Sequence, residues 1–162
     1  MKKLTALFKS FFYAARGIVS TVKTERNMRI HLICVIYMFT ILLTTDWFIL
    51  ERSDWCALII ASALVLSGEI VNTAIENAVN LATSEYNEFA KRAKDAGSGA
   101  VLVNAVFAVI IGLVVLLQPQ AFKNMYFYFA EKPVMFLLFA LSIVPATLFI
   151  FFGFPGRKNK KK

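Results

Sequence analysis

Five polar side chains recur along an apolar segment that runs from Trp55 to Leu81. They are Glu69, Asn72, Thr73, Glu76 and Asn80. An α-helix turns by about 100° per residue, so these positions fall within roughly a third of its circumference and share one face. A carboxylate in hydrocarbon costs at least about 2.5 kcal/mol. Glu69 on a common face with two amides therefore predicts a functional site inside a membrane helix.

The chemistry that this stripe could support is phosphoryl transfer at a membrane boundary. Glu76 lies seven residues after Glu69, which is about 10 Å further along a helix. The stripe would thus connect the apolar interior with the aqueous side, where a buried hydroxyl could meet a soluble phosphate donor. Such a transfer needs a divalent cation, a positive side chain at the phosphates and a base for the acceptor hydroxyl.

Each of these parts has a candidate residue. Mg²⁺ is usually held by one or two carboxylates together with phosphates, and Glu25 and Glu76 could supply them. Glu69 is left as the base. Lys94 is the candidate for contacting phosphate, because Lys94 and Asp95 precede the small residues 96–100, where backbone donors at a helix start could meet an anion. The sequence contains no Walker loop and no protein-kinase catalytic loop.

The elements that must position these residues are membrane helices. The chain has 162 residues, of which 59% are hydrophobic, and its mean hydropathy is +0.66. A membrane span needs roughly 20 apolar residues. The sequence predicts an all-α, polytopic membrane helical bundle. Its membrane domain of residues 1–118 comprises an interfacial amphipathic helix at 1–28 and spans at 29–48, 55–82 and 96–118, and residues 119–162 add a fourth span at 133–153 and a basic tail.

Basic residues predict the orientation, because Lys and Arg are retained on the cytoplasmic side. The amino-terminal segment is basic, whereas the first loop holds Asp46, Glu51, Arg52 and Asp54. The second loop and the tail are basic again, through Lys91, Arg92, Lys94, Arg157, Lys158, Lys160, Lys161 and Lys162. Both termini are therefore expected in the cytoplasm. Anionic lipid at this face accounts for the net charge of +8, so no nucleic-acid partner is expected.

Three segments resemble the signature of a known family. They are Glu69-Ile70-Val71-Asn72-Thr73-Ala74-Ile75-Glu76, Ser84-Glu85-Tyr86 and Arg92-Ala93-Lys94-Asp95-Ala96-Gly97-Ser98. The chain resembles the small bacterial integral-membrane diacylglycerol kinases and their undecaprenol kinase relatives from about Lys9 to Leu117. This resemblance implies an ATP- and Mg²⁺-dependent lipid kinase of the bacterial inner membrane. It also implies a homotrimer with active sites between protomers near the cytoplasmic interface.

The resemblance also implies roles for individual residues. By matching position, Glu69 would be catalytic, Glu25 and Glu76 would bind metal, and Asn72 and Ser98 would support catalysis or bind lipid. The ATP-binding residues would be Tyr13, Glu25, Glu76, Glu85, Tyr86, Asn87, Lys94 and Asp95. The chain departs from the family pattern in three places: Asn87 stands where one branch has His, Asn80 stands where it has Asp, and the fourth span has no counterpart in three-span members.

The acceptor lipid and the function class have alternatives. The segment from Glu25 to His31 resembles the undecaprenol kinase branch and the segment from Arg92 to Val101 the diacylglycerol kinase branch, so undecaprenol is slightly favoured. The stripe could instead join helices across an oligomer interface, serve a small ion or proton transporter, or belong to a non-enzymatic scaffold. His31 is expected to be an interfacial anchor or a satisfied polar residue, because it has no partner at metal-ligand spacing along the chain.

Overall fold

A computed structural model describes residues 2–154, which form six helices and no strand. The helices are α1 (Lys2–Thr24), α2 (Arg26–Thr44), α3 (Arg52–Ala82), α4 (Glu88–Leu116), α5 (Pro119–Glu131) and α6 (Pro133–Phe152). By length and composition, α2, α3, α4 and α6 could each cross a membrane. The prediction of an all-α bundle with four membrane-length helices is confirmed. The basic tail at residues 157–162 lies outside the described residues.

Helix α1 exposes its apolar face. Phe8, Phe11 and Phe12 are each at least 65% exposed, whereas Thr21 and Val22 near its end are buried. A basic helix with an uncovered aromatic face suits the plane of a lipid surface. The arrangement fits the interfacial helix expected from the sequence.

The first two helices are divided at one residue. Glu25 has an extended backbone (φ −99°, ψ 120°), so α2 begins at Arg26 rather than at 29. Helix α2 ends at Thr44 rather than at 48, because Thr45 is extended. The hydroxyls of Thr44 and Thr45 donate to carbonyls one turn earlier, at 2.6 and 2.8 Å. The Ile41 carbonyl also accepts from the Thr45 N–H at 3.1 Å, so the Thr45 hydroxyl adds a second bond where the helix ends.

Helix α4 begins at Glu88, well before the predicted start at 96. The side chain of Asn87 caps it by accepting hydrogen bonds from the backbone N–H groups of Phe89 and Ala90. The basic residues that were expected in a loop therefore lie on the first turns of α4. Residues 96–100 fall in the helix interior, where N–H groups bond to the preceding turn. The expectation that their backbone donors meet phosphate is wrong.

Helix α5 was not predicted. Pro119 occupies its first turn, a position that proline favours because its missing N–H would be unbonded there. The ring of Trp47, in the loop after α2, lies 5.2 Å from that of Tyr128 and 5.7 Å from that of Phe129, both on α5.

Gln118 joins the loop after α2 to the end of α4. Its side chain accepts a hydrogen bond from the N–H of Ile49 at 3.1 Å and donates one to the Ile49 carbonyl at 3.0 Å.

Glycines allow α3 and α4 to pack closely. A Cβ atom added at Gly97 would lie 2.6 Å from Oδ1 of Asn72, and one at Gly68 would lie 3.0 Å from Nδ2 of Asn104. Nothing lies within 4 Å of a Cβ added at Gly99. Small residues permit such close approach between membrane helices. Of the two glycines that flank Ser98, Gly97 is thus the one that close packing requires.

Gly97→Ala should displace the Asn72 side chain and break its hydrogen bond to Glu76. Relative to Gly99→Ala, which has the same gain in helix propensity, we expect the free energy of unfolding of Gly97→Ala to be lower by about 1 kcal/mol, the usual net contribution of such a bond. Gly99→Ala is the matched control and should not lower it. Thermal unfolding of both purified variants in detergent measures the difference, and an equal loss in both would contradict the packing assigned to Gly97.

Candidate functional site

Glu69 is a buried carboxylate with an unsatisfied oxygen. The residue is 2% exposed, and its Oε1 has no hydrogen-bond partner in the described structure. Nε2 of His31 lies 3.4 Å from Oε1, which is an ion-pair distance but too long for a good hydrogen bond. Thr73 contributes only a bond from its hydroxyl to the Glu69 backbone carbonyl, at 2.9 Å. The carboxylate therefore keeps a free acceptor inside the bundle.

A cavity of about 230 Å³ lies in front of this carboxylate. Its polar lining comes from three helices: Asn27 and His31 on α2, Glu69 and Asn72 on α3, and Ser98 on α4. The structure thus brings together the three residues for which the sequence suggested catalytic or supporting roles. His31 was expected as an anchor or a satisfied polar residue, because spacing along the chain cannot reveal a partner on another helix.

Two further carboxylates lie near Glu69. Asn72 donates from Nδ2 to Oε1 of Glu76 at 3.1 Å, which ties the cavity to the next turn of α3. Glu25 stands at the break between α1 and α2, and its side chain makes no capping hydrogen bond. Glu76 is thus linked to the cavity through Asn72, and Glu25 immediately precedes α2, the helix that contributes Asn27 and His31 to the same cavity.

The carboxylates of Glu25 and Glu76 are the kind of ligand that Mg²⁺ binds together with phosphate oxygens. Within residues 2–154, no group of three or more His, Cys, Asp or Glu side chains could hold a metal ion alone. Mg²⁺ commonly takes one or two carboxylates and completes its oxygen ligands with phosphates and water. Glu25 and Glu76 fit this pattern, since each offers carboxylate oxygens and neither is neutralised by an ion pair in the described structure.

Lys94 on α4 meets the polar stripe of α3 at Asn80, the last residue of the stripe. Its Nζ donates to Oδ1 of Asn80 at 2.7 Å, one turn beyond Glu76 on α3. The family branch with Asp at this position would offer a charged acceptor, whereas Asn80 offers a neutral one. Lys94 thus keeps a positive charge beside Asn80, and no carboxylate of the described residues forms an ion pair with it.

The other residues predicted to contact the nucleotide lie in two parts of the structure, around the start of α4 and on α1. Tyr86 and Asp95 line a surface cleft of about 160 Å³, with Glu88, Lys91 and Arg92. Glu85 is exposed in the preceding turn. Tyr13 is 63% exposed on α1 and contacts Phe12 edge to face. Within one protomer it lines neither the cavity at Glu69 nor the cleft at Tyr86. Their roles in ATP binding stay predictions.

Four membrane-length helices, three of which surround a buried and partly unsatisfied carboxylate, define a polytopic membrane protein with an intramembrane acidic site. The model of one family, described as "Prokaryotic diacylglycerol kinase", matches residues 12–116. The chain belongs to this family, and it is a prokaryotic lipid kinase. The matched residues include every site residue described above, whereas α5 and α6 lie beyond them.

Individual relatives carry two names. The chain is 39% identical over 117 residues to the undecaprenol kinase of Bacillus subtilis, covering 71% of this chain and 91% of that protein. It is 40% identical over 114 residues to a diacylglycerol kinase of Synechocystis, covering 70% and 63% of the two chains. It is 33% identical over 112 residues to the diacylglycerol kinase of Escherichia coli, covering 69% and 89%.

Asn87 has a structural role that was not predicted, although an Asn before an amphipathic segment is a helix-start signal. Asn87→Ala should lower the free energy of unfolding by about 1 kcal/mol through loss of the cap. Asn87→Asp keeps an acceptor for the two N–H groups and should preserve stability. Thermal unfolding measures both, and a stable Asn87→Ala variant would contradict the capping role.

Proposed function

We propose that this protein transfers the γ-phosphate of ATP to the hydroxyl of a membrane lipid alcohol in an Mg²⁺-dependent reaction. The observation that carries the proposal is the buried Glu69 carboxylate, whose Oε1 has no hydrogen-bond partner among the described residues and which lines a cavity together with Asn72 and Ser98. The product, a phosphorylated lipid, would enter lipid-carrier or phospholipid recycling.

Glu69 serves as the base in this proposal. A general base must lie within hydrogen-bond reach of the proton that it removes, and in this proposal the acceptor hydroxyl enters the cavity that Glu69 lines. The proton moves from the acceptor hydroxyl to the carboxylate as the hydroxyl oxygen attacks the γ-phosphorus and the bond to the leaving ADP breaks. Asn72 and Ser98 support catalysis or contact the lipid from the adjoining walls.

The nucleotide lies at the Asn80 end of the polar stripe, which is the cytoplasmic end in this proposal. Glu25 and Glu76 would hold Mg²⁺, which neutralises phosphate oxygens when bound. Lys94 and Asp95 bind ATP in this proposal, and Tyr13, Glu85, Tyr86 and Asn87 are further contacts. Because Tyr13 stands apart from the others within one chain, a homotrimer in which a neighbouring protomer completes each site belongs to the proposal.

Undecaprenol is slightly favoured over diacylglycerol as the acceptor. Its support is the resemblance of the segment from Glu25 to His31 and the name of the Bacillus relative. A largely apolar cavity of about 220 Å³ between α2, α3 and α4 adjoins the polar one, since both are lined by His31 and Ala105. A lipid chain in the apolar cavity would direct a terminal hydroxyl toward Glu69.

The proposed location is the bacterial inner membrane, with both termini in the cytoplasm. Glu25, Glu76 and Lys94 then face the compartment that supplies ATP. Transport is a weaker alternative, because it needs a polar route through the outer half of the bundle. Asn104, the one amide in α4, donates to the carbonyl of Leu64 at 3.1 Å and so serves packing.

The test is transfer of labelled γ-phosphate from ATP to undecaprenol and to diacylglycerol, side by side, in mixed micelles. Glu69→Gln should reduce transfer by at least about 100-fold, the usual contribution of a general base. Glu131→Gln makes the same substitution at an exposed position on α5 and should leave transfer unchanged.

Nucleotide binding is measured on the same samples. Saturating ATP and Mg²⁺ should raise the melting temperature of wild type and of Glu69→Gln alike, since a ligand of the native state stabilises it. Full turnover in Glu69→Gln would overturn its role as base. Absence of transfer to either lipid by folded wild type would overturn the proposed kinase reaction.

A further inference from the structure

The helix α6 lies beyond the family match, yet it is bonded to α2 at two levels. Nε of Arg29 donates to the Ile150 carbonyl at 3.0 Å, and the hydroxyls of Tyr37 and Ser142 are 2.8 Å apart. The two bonds are separated by eight residues along each helix, so α2 and α6 run antiparallel in a fixed register. Helix α6 is therefore joined to the helix that begins beside Glu25.

Arg29 is the centre of this connection. It is 6% exposed, and its Nη1 donates to the carbonyls of Val22 and Lys23, each at 3.1 Å. All three acceptors belong to final helical turns, whose carbonyls lack partners within their helix and carry the negative end of the helix dipole. One guanidinium thus joins the end of α1, the start of α2 and the end of α6.

The end of α6 is shaped to meet this guanidinium. Gly153 adopts φ +66° and ψ −149°, a backbone conformation that is essentially restricted to glycine. A Cβ added there would lie 3.5 Å from Nη1 of Arg29, so the chain reversal packs directly against the charged group. Lys23 makes a second contact between α1 and the chain after α6, with Nζ 5.8 Å from the centroid of the Phe154 ring.

Glu25 is the single residue between the two helices that Arg29 joins. The Arg29 N–H points to the Glu25 carbonyl at 3.4 Å, and the Glu25 N–H donates to the Thr21 carbonyl at 2.8 Å. The direction in which the chain turns at Glu25 is therefore set by bonds on both sides of it. Changing the distance between the ends of α1 and α6 would reorient the Glu25 carboxylate.

We propose that α6, acting through Arg29, positions Glu25 for metal binding. Arg29 is a positioning residue and touches neither ATP nor lipid. This inference rests on the proposed function of Glu25 as an Mg²⁺ ligand. It assigns the fourth membrane-length helix a role in the active site rather than in anchoring alone.

Two single variants and their combination test the proposal in the full-length protein. Arg29→Lys keeps the charge but lacks the planar fork that reaches separate acceptors. Gly153→Val leaves Arg29 intact and forces the end of α6 out of its glycine conformation. Both substitutions break the same connection, between Arg29 and the end of α6. The defect of the double variant should therefore not exceed that of the more severe single variant. Leu148→Val, an exposed substitution on α6, is the control.

The first readout is amide hydrogen exchange of protein without metal or nucleotide. Residues 22–29 should exchange faster in Arg29→Lys and Gly153→Val than in wild type, while α3 and α4 stay unchanged. The second readout is the Mg²⁺ concentration for half-maximal transfer at saturating lipid. It should rise about 10- to 100-fold, as for loss of a group that orients a metal ligand, while the lipid KM stays unchanged.

The exchange and Mg²⁺ measurements together decide whether α6 positions Glu25 through Arg29. Unchanged exchange at residues 22–29 would overturn it, and so would faster exchange with a normal Mg²⁺ requirement, because Arg29 would then fasten helices without positioning Glu25. Faster exchange throughout α3 and α4 would also overturn it by showing general destabilisation. If wild type transfers no phosphate, the proposed function fails first, a result distinct from an active wild type beside unaffected variants.

Discussion

The burial of one carboxylate inside a membrane-length helix is the constraint on which the rest of this structure depends. A charged side chain at such a depth costs at least about 2.5 kcal/mol, and Glu69 receives little compensation, since Oε1 has no hydrogen-bond partner among the described residues. Its neighbours shape a polar cavity without satisfying the carboxylate: His31 stops at 3.4 Å, and Asn72 donates to Glu76 instead. Unsatisfied buried polar groups are rare in native proteins, and a catalytic role is one of the reasons for which they are retained.

The polar side chains of α3 form a gradient from lipid to water. Glu69 lines the polar cavity, which shares His31 and Ala105 with the apolar one. Glu76 lies two turns further along α3 and accepts a hydrogen bond from Asn72, and Asn80 follows with Lys94 bound to it. One straight helix can present such a gradient because residues three and four apart share a face. Close packing at Gly97 holds α4 against this face. A lipid hydroxyl and a soluble phosphate donor can therefore approach one site from opposite ends.

The sequence predicted the features that depend on local periodicity and composition. The stripe on α3 and the four apolar helices follow from helical spacing and composition, whereas the role of Ser98, which lies on α4, came from the family resemblance. Contacts between elements distant along the chain could not be predicted: His31 gains its partner from another helix, and Arg29 finds Ile150 at the end of α6. The start of α4 was predicted too late because its first turns are charged, as loops often are. Recognising Asn87 as the helix cap would have placed the start at Glu88. Helix α5 was missed because its flanking prolines resemble loop punctuation, although one of them opens the helix.

The most direct measurement is the thermal stability of Glu69→Gln beside wild type, without ligand and in the same detergent. If the carboxylate is retained for chemistry at a cost in stability, the neutral side chain of equal size should leave the melting temperature unchanged or raise it. If Glu69 instead holds the helices together, the same substitution should lower the melting temperature. A clear loss of stability would contradict the proposal that Glu69 is retained for catalysis.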